Sequence, residues 1–199
     1  MRKKRVNLDK RRFMTLVTSA FAASGALFAA LPFVQYMTPS RKARIAGGPI
    51  EVDISKLAMG EQKTILWQGK PIWIIKRTPE QIQELSMANT SLRDPLSFED
   101  QQPDYARNFY RSRQDNPEIL VLVGVCTHLG CAPTYRPDRQ SIEKDWEGGF
   151  FCSCHGSKFD LSGRVFKNVP APLNLVVPPY AFKDSTTLVV GVSSIGDVV

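Results

Sequence analysis

From Phe13 to Ser40 the chain carries no charged residue, and the apolar part of this run, Phe13 to Met37, is 25 residues long. A helix of that length spans roughly 38 Å, more than the roughly 30 Å hydrocarbon core of a bilayer. The competing reading is a helix buried in a soluble core, but uncharged runs this long are uncommon in soluble folds. Small residues fill the middle (Ala20, Ala22, Ala23, Ser24, Gly25, Ala26), leaving room for another helix to pack closely. Pro32 is expected to kink the helix near its outer end. The run therefore predicts one transmembrane anchor over residues 13–37.

The flanking charges orient it. Residues 1–12 hold Arg2, Lys3, Lys4, Arg5, Lys10, Arg11 and Arg12 against Asp9, a net +6, while the whole chain is +7. Arg41, Lys42 and Arg44 follow the run. The excess on the N-terminal side predicts a cytoplasmic N-terminus, residues 1–12, and a translocated body. A nucleic-acid binder would spread its basic residues over a folded face. Here the remaining 187 residues carry only +1, which argues against nucleic acid as a partner. Lys10-Arg11-Arg12-Phe13-Met14 resembles a twin-arginine export signal, although Phe13 stands one place early for the Arg11-Arg12 pair. The alternatives are the general secretion route and a cleavable signal with Ala20-Phe21-Ala22 at its cleavage site. An uncleaved anchor is preferred, because Ala22 lies mid-run.

Residues 38–49 read as a linker, with Pro39 stopping the helix and Gly47-Gly48 leaving the backbone permissive. Beyond it the pattern changes to short alternating runs. Ile50-Val52-Ile54 alternate with polar neighbours. Thr64 to Trp67 and Ile72 to Lys76 predict strands around a turn at Gln68-Gly69-Lys70-Pro71. Thr78-Pro79-Glu80-Gln81 carries an N-cap, an N1 proline and an N3 Gln, opening a short helix through about Met87. Residues 88–117 are polar and loop-like. Ile119 to Val125 reads as a fully buried strand ending at Cys126, and Leu175 to Val177 and Thr187 to Val192 as the last strands. The body, residues 50–199, is expected to be an antiparallel all-β domain with one short helix.

All four cysteines and both histidines fall between residues 126 and 155, in two boxes: Cys126-Thr127-His128-Leu129-Gly130-Cys131 and Cys152-Ser153-Cys154-His155-Gly156-Ser157. Structural zinc favours separate Cys and His pairs, whereas each box here mixes the two. A c-type haem needs C-x-x-C-H, and only one residue separates Cys152 from Cys154. The thioredoxin C-x-x-C is absent. Mixed thiolate and imidazole donors favour iron–sulfur chemistry, with sulfur on the more buried iron and imidazole on the outer one.

The two boxes together resemble those of the Rieske iron–sulfur subunit of ubiquinol–cytochrome c reductase, and the likeness extends over nearly the whole chain. It implies a Rieske-type antiparallel β-sandwich with a small cluster-binding subdomain at about residues 124–172. It also implies one 2Fe–2S cluster with Cys126, Cys152, His128 and His155 as ligands, and a disulfide between Cys131 and Cys154 that suits an oxidising exterior. Around the cluster it places Leu129, Gly130 and Gly156, the last two for tight turns. Ser157 takes the place of a residue whose hydroxyl bonds a bridging sulfide. Pro170-Ala171-Pro172 resembles the proline loop that covers the cluster. One position departs: the family usually has Tyr where this chain has Phe159. The missing hydroxyl predicts a potential toward the lower half of the roughly −150 to +300 mV Rieske range.

Function follows from the same resemblance. His155 would hydrogen-bond quinol held in cytochrome b and accept its proton as the cluster accepts the electron. The head would then move on the linker and reduce a membrane-anchored c-type cytochrome, within a dimeric complex of a bacterial inner membrane with the cluster domain periplasmic. Two competitors remain. One is the small Rieske subunit of a periplasmic oxidase such as arsenite oxidase. The other is a zinc-stabilised binding module at the membrane.

Overall fold

The computed structural model describes residues 7–40, 47–85 and 90–197, in two units divided between Ile45 and Ala46. Arg2 to Arg5, Arg41, Lys42 and Arg44, and the expected helix end at Met87 lie outside the described residues.

The first unit contains helix α1, Leu8–Met37. It begins earlier than the apolar run, because Asn7 caps it: Asn7 Oδ1 accepts the N–H groups of Asp9 and Lys10, each at 3.1 Å. Lys10, Arg11 and Arg12 are thus helical, not part of a separate tail. No α1 side chain is buried within the chain. Its hydroxyls are satisfied inside the helix, Thr15 donating to Arg11 O (2.8 Å), Thr18 to Met14 O (2.6 Å) and Ser24 to Ala20 O (2.9 Å). Such back-bonding is what an apolar surrounding demands of a polar side chain.

The second unit is β-rich, and all its strand pairings are antiparallel. Its strands are β1 (Ile50–Asp53), β2 (Gln62–Trp67), β3 (Lys70–Lys76), β4 (Ile119–Val123), β5 (Thr134–Arg136), β6 (Gly149–Cys152), β7 (Ser157–Phe159), β8 (Tyr180–Phe182) and β9 (Thr187–Val190). They form three three-stranded sheets, ordered β1-β9-β8, β2-β3-β4 and β5-β6-β7. The β2–β3 turn is shorter than expected. Gln68 (φ 50°) and Gly69 (φ 74°) make a two-residue hairpin, so Lys70 and Pro71 already belong to β3. Helix α2, Pro79–Leu85, carries the expected capping box: Gln81 N–H donates to Thr78 Oγ1 (3.3 Å) and Thr78 N–H to Gln81 Oε1 (3.0 Å).

Three strand expectations need correction: Leu175 to Val177, Ile119 to Val125, and Thr187 to Val192, whose strand β9 stops at Val190. Leu175 to Val177 forms no strand, and its one bond to a strand is a single contact with β4. Its backbone bonds go to three different places, Leu175 N–H to Gly163 O, Val177 N–H to Gln101 O, and Val176 O from Val123 N–H. Strand β8 lies just beyond it, at Tyr180–Phe182, and β4 ends at Val123 rather than Val125. The whole β5-β6-β7 sheet was not read from sequence.

One core joins the three sheets. All five β4 residues are buried, and Trp73 of β3 stacks on Phe150 of β6 with ring centroids 5.3 Å apart and planes 7° off parallel. The segment expected to be a polar loop is packed against this core. Arg77 and Arg111 are fully buried. Arg77 donates to Tyr110 O (2.9 Å), Ser162 Oγ (2.9 Å), Ser112 Oγ (3.0 Å) and Pro117 O. Arg111 donates to Gln102 Oε1 (2.9 Å) and Gly163 O (3.2 Å). Burial pushes Arg77 down to about 10 and Arg111 to about 9. Both stay charged at neutral pH, so their carbonyl and hydroxyl partners are required to offset desolvation.

Candidate metal centre

Two loops at one end of the second unit carry the candidate ligands. The first leaves β4. Gly124 N–H bonds Pro71 O (2.8 Å), continuing the β3–β4 ladder, and a Cβ on Gly124 would sit 2.3 Å from the Trp73 indole. Trp73 therefore fixes where the chain enters the loop. The loop closes on itself through Cys126 N–H to Cys131 O (2.7 Å) and Gly130 N–H to Cys126 O (3.0 Å). The second loop joins β6 to β7 across the Cys152–Ser157 pair and closes through Gly156 N–H to Cys152 O (2.9 Å). Both loops thus reverse at a glycine four residues after a cysteine, at φ +82° and +76°, where an L side chain would be strained.

Cys131 and Cys154 form a disulfide that ties the loops together, and Cys126 and Cys152 are free and buried. The sulfurs of Cys131, Cys152 and Cys154 lie within 4.8 Å of one another. That trio is not a ligand set, since two of its sulfurs are bonded to each other. The available thiolates are Cys126 and Cys152. Burial pushes the Cys126 thiol up, so metal binding must displace its proton. The nearby His128 N–H and Ser157 hydroxyl work in the opposite direction.

The two imidazoles sit side by side, with centroids 4.7 Å apart and planes at 88°. They differ in exposure. His155 is exposed, whereas His128 is half-buried and its Nδ1 is buried with no hydrogen-bond partner. An orphaned buried nitrogen costs on the order of 1–3 kcal/mol, and a metal ligand position removes that cost. Two buried sulfurs, an imidazole nitrogen in need of a partner and a second, solvent-facing imidazole fit a 2Fe–2S cluster of mixed ligation.

Residues 170–175 lie across both loops. Ala171, fully buried, donates its N–H to Ser157 Oγ (3.0 Å), and Thr127 Oγ1 donates to Leu173 O (2.6 Å). Pro170 and Pro172 on either side are exposed. Leu129 points outward from the first loop and is 72% exposed. Phe159 is fully buried and pairs with Phe150 across β6 and β7. Sequence reasoning singled out neither Thr127 nor Trp73, Gly124 and Asn174. Only Thr127 lay inside a recognisable box.

Residues 97–180 match the family described as Rieske [2Fe-2S] domain, and residues 1–40 match that described as ubiquitinol-cytochrome C reductase Fe-S subunit TAT signal. The "Ubiquinol-cytochrome c reductase iron-sulfur subunit" of Allochromatium vinosum is 50% identical, covering 94% of this chain and 90% of its own. The subunit of the same description from Bradyrhizobium diazoefficiens is 42% identical, covering 92% and 94%. A solved chain of a "Hyperthermophilic respiratory Complex III" is 25% identical, with a TM-score of 0.47, and covers 87% of this chain and 98% of its own. Two cysteine–histidine loops bridged by a disulfide, an apolar N-terminal helix and identity sustained over almost the full length have one joint explanation: the chain belongs to the Rieske [2Fe-2S] iron–sulfur subunits of ubiquinol–cytochrome c reductase.

Proposed function

We propose that this chain takes one electron and one proton from quinol at cytochrome b and passes the electron to a membrane-anchored c-type cytochrome. Cys126, Cys152, His128 and His155 are the proposed ligands of its single cluster, which supplies a one-electron acceptor. The observation that carries the reading is the unequal pair of imidazoles, one with an orphaned buried nitrogen and the other exposed at the tip. His155 can present its outer ring nitrogen to a quinol hydroxyl and take the proton there. His128, half-buried with its Nδ1 enclosed, serves as a ligand. Leu129, Pro170 and Pro172, all exposed, are the proposed apolar contact surface for cytochrome b.

Helix α1 anchors the chain in a bacterial membrane. The proposed orientation keeps the basic N-terminus cytoplasmic and the cluster domain periplasmic. The proposed hinge is shorter than residues 38–49. Gly47 O accepts from Gln68 Nε2 (3.0 Å) and Gly48 O from Trp67 Nε1 (2.9 Å), so these two glycines move with the β domain.

The test is an EPR spectrum of reduced membranes containing the full chain, with and without a quinol-site inhibitor. A Rieske centre has an average g below the free-electron value, and the inhibitor should shift it. A normal Rieske signal that ignores the inhibitor, in a chain that purifies without b- and c-type haem, would favour a periplasmic oxidase subunit. A silent spectrum from metal-loaded protein would overturn the cluster itself.

A further inference from the structure

The segment over the cluster loops is fastened from behind by one side chain. Asn174 is 1% exposed. Its Oδ1 accepts the N–H of Val165 (2.8 Å), and its Nδ2 donates to Asp94 O (3.1 Å) and Ser97 Oγ (3.4 Å). It is flanked by residues with their own fastenings: Leu173 O takes the Thr127 hydroxyl, and Leu175 N–H bonds Gly163 O. Three residues earlier, Ala171 N–H bonds Ser157 Oγ. Asn174 therefore links three parts: the segment that touches both cluster loops, the turn after β7, and the packed segment around residues 94–97.

That packed segment is itself fixed. Arg164 pairs with Asp160 (2.6 Å) and donates to Pro95 O (3.0 Å), and Arg111 joins Gln102 to Gly163. Ser97 is fully buried. The support behind Asn174 is therefore continuous, and its links are buried or part-buried hydrogen bonds that are costly to leave unmade.

The consequence concerns Ser157. Its oxygen accepts from Ala171 N–H, its own proton has no acceptor among the described residues, and it is buried directly opposite Cys152 across β6 and β7, so that proton is free for a sulfur of the cluster. If Ala171 shifts, the hydroxyl loses the contact that orients it. A weaker hydrogen bond to a ligand sulfur disfavours the more negative, reduced cluster. We infer that Asn174 is a positioning residue for the redox site: it holds Ala171 where the Ser157 hydroxyl is aimed at sulfur, and so tunes the midpoint potential without touching the ligands. This rests on the cluster reading above.

The test uses the full chain in membranes, with redox-poised EPR and thermal denaturation measured together. Asn174→Leu removes every polar arm. Asn174→Asp keeps the acceptor for Val165 N–H and loses the donors. Tyr105→Phe is the control, since Tyr105 OH bonds Tyr180 O (3.0 Å) and takes Tyr180 N–H (2.8 Å) with no connection to the cluster loops. Asn174→Leu should shift the redox equilibrium threefold to tenfold toward the oxidised form, about 28 to 59 mV at 59 mV per tenfold. Asn174→Asp should shift it less. Tyr105→Phe should lower the melting temperature and leave the potential alone. A fully loaded Asn174→Leu with an unaltered potential overturns the inference. So does a Tyr105→Phe shift of equal size, which would make the effect general loosening. If Asn174→Leu carries no cluster, Asn174→Asp decides by the same criterion. A missing Rieske signal in the unmodified chain would instead count against the cluster reading.

Discussion

Phe159→Tyr adds one oxygen to a ring that has no access to water, and this makes it a two-sided probe. Phe159 is fully buried in β7, opposite Phe150 and bridged to Val165. A hydroxyl there either finds a ligand sulfur or finds nothing. Left unpaired in the core it costs about 1–3 kcal/mol of stability. Donating to a thiolate, it stabilises the reduced cluster over the oxidised one. A net preference of about 1–1.4 kcal/mol for the reduced form, the scale of one ordinary hydrogen bond, converts to about 40–60 mV upward at 59 mV per 1.4 kcal/mol. Voltammetry and thermal denaturation on the same preparation separate the cases. The expected result is a raised potential with the melting temperature nearly unchanged. An unshifted potential together with a lower melting temperature would refute the assignment of this position beside the ligand sulfur, and with it the account of why the present chain should lie low in the Rieske range.

Alkylation of the native protein should find no reactive cysteine while the cluster is intact, and alkylation under denaturing conditions after its removal by acid and chelator should find two, because Cys131–Cys154 stays closed; mass spectrometry would place the labels on Cys126 and Cys152. Arg111→Met leaves Gln102 Oε1 without its donor, at about 1–3 kcal/mol, while Gly163 O keeps Leu175 N–H; no longer burying a charge offsets part of the cost, and urea unfolding should show a net loss of about 1–2 kcal/mol. Burial raises the Tyr105 pKa, so the neutral ring is favoured in the fold. The unfolded chain ionises it first, from about pH 10, and its stabilising share is complete below that pH and lost as the pH rises further. The fall in melting temperature between about pH 9.5 and 11 should accordingly be shallower in Tyr105→Phe than in the parent, and equal slopes would contradict the burial argument.

What could be read in advance was whatever a local signal encodes. The α2 capping box needs only Thr78 and Gln81 at a fixed spacing, and both reciprocal bonds are present. The β2–β3 hairpin and the continuous apolar run of β4 are likewise written in a few adjacent residues. The β5-β6-β7 sheet was hidden for the opposite reason. Its edge strands have three residues each, and Phe150, Phe159 and Cys152 are buried by contacts with Trp73 and the cluster loops rather than by any alternation of their own. The candidate ligands were visible because thiol and imidazole are rare and clustered. The residues that hold the ligand loops in place were not, since Thr127, Asn174 and Gly124 are ordinary residues whose partners lie tens of positions away.

The polar segment before β4 is the instructive case. By composition it is a solvated loop, yet Ser97, Gln102, Arg111 and Ser112 are buried in it or beside it. Its polarity is internal: the hydrogen bonds that a loop would make to water go instead to Arg77, Arg111, Arg164 and Asn174. A wholly apolar packing would give adhesion without direction, whereas each of these bonds fixes a donor against a named acceptor. That is what a redox tip requires of its support. In the proposed function the exposed His155 and Leu129 meet a partner, so the loops that carry them cannot be fixed by covering them from the front. The only place left to hold them is behind, through Thr127, Ser157 and the segment from Pro170 to Leu175, and that segment is itself fastened into the polar core. Residues that look dispensable by composition are therefore the ones through which the exposed site keeps its geometry.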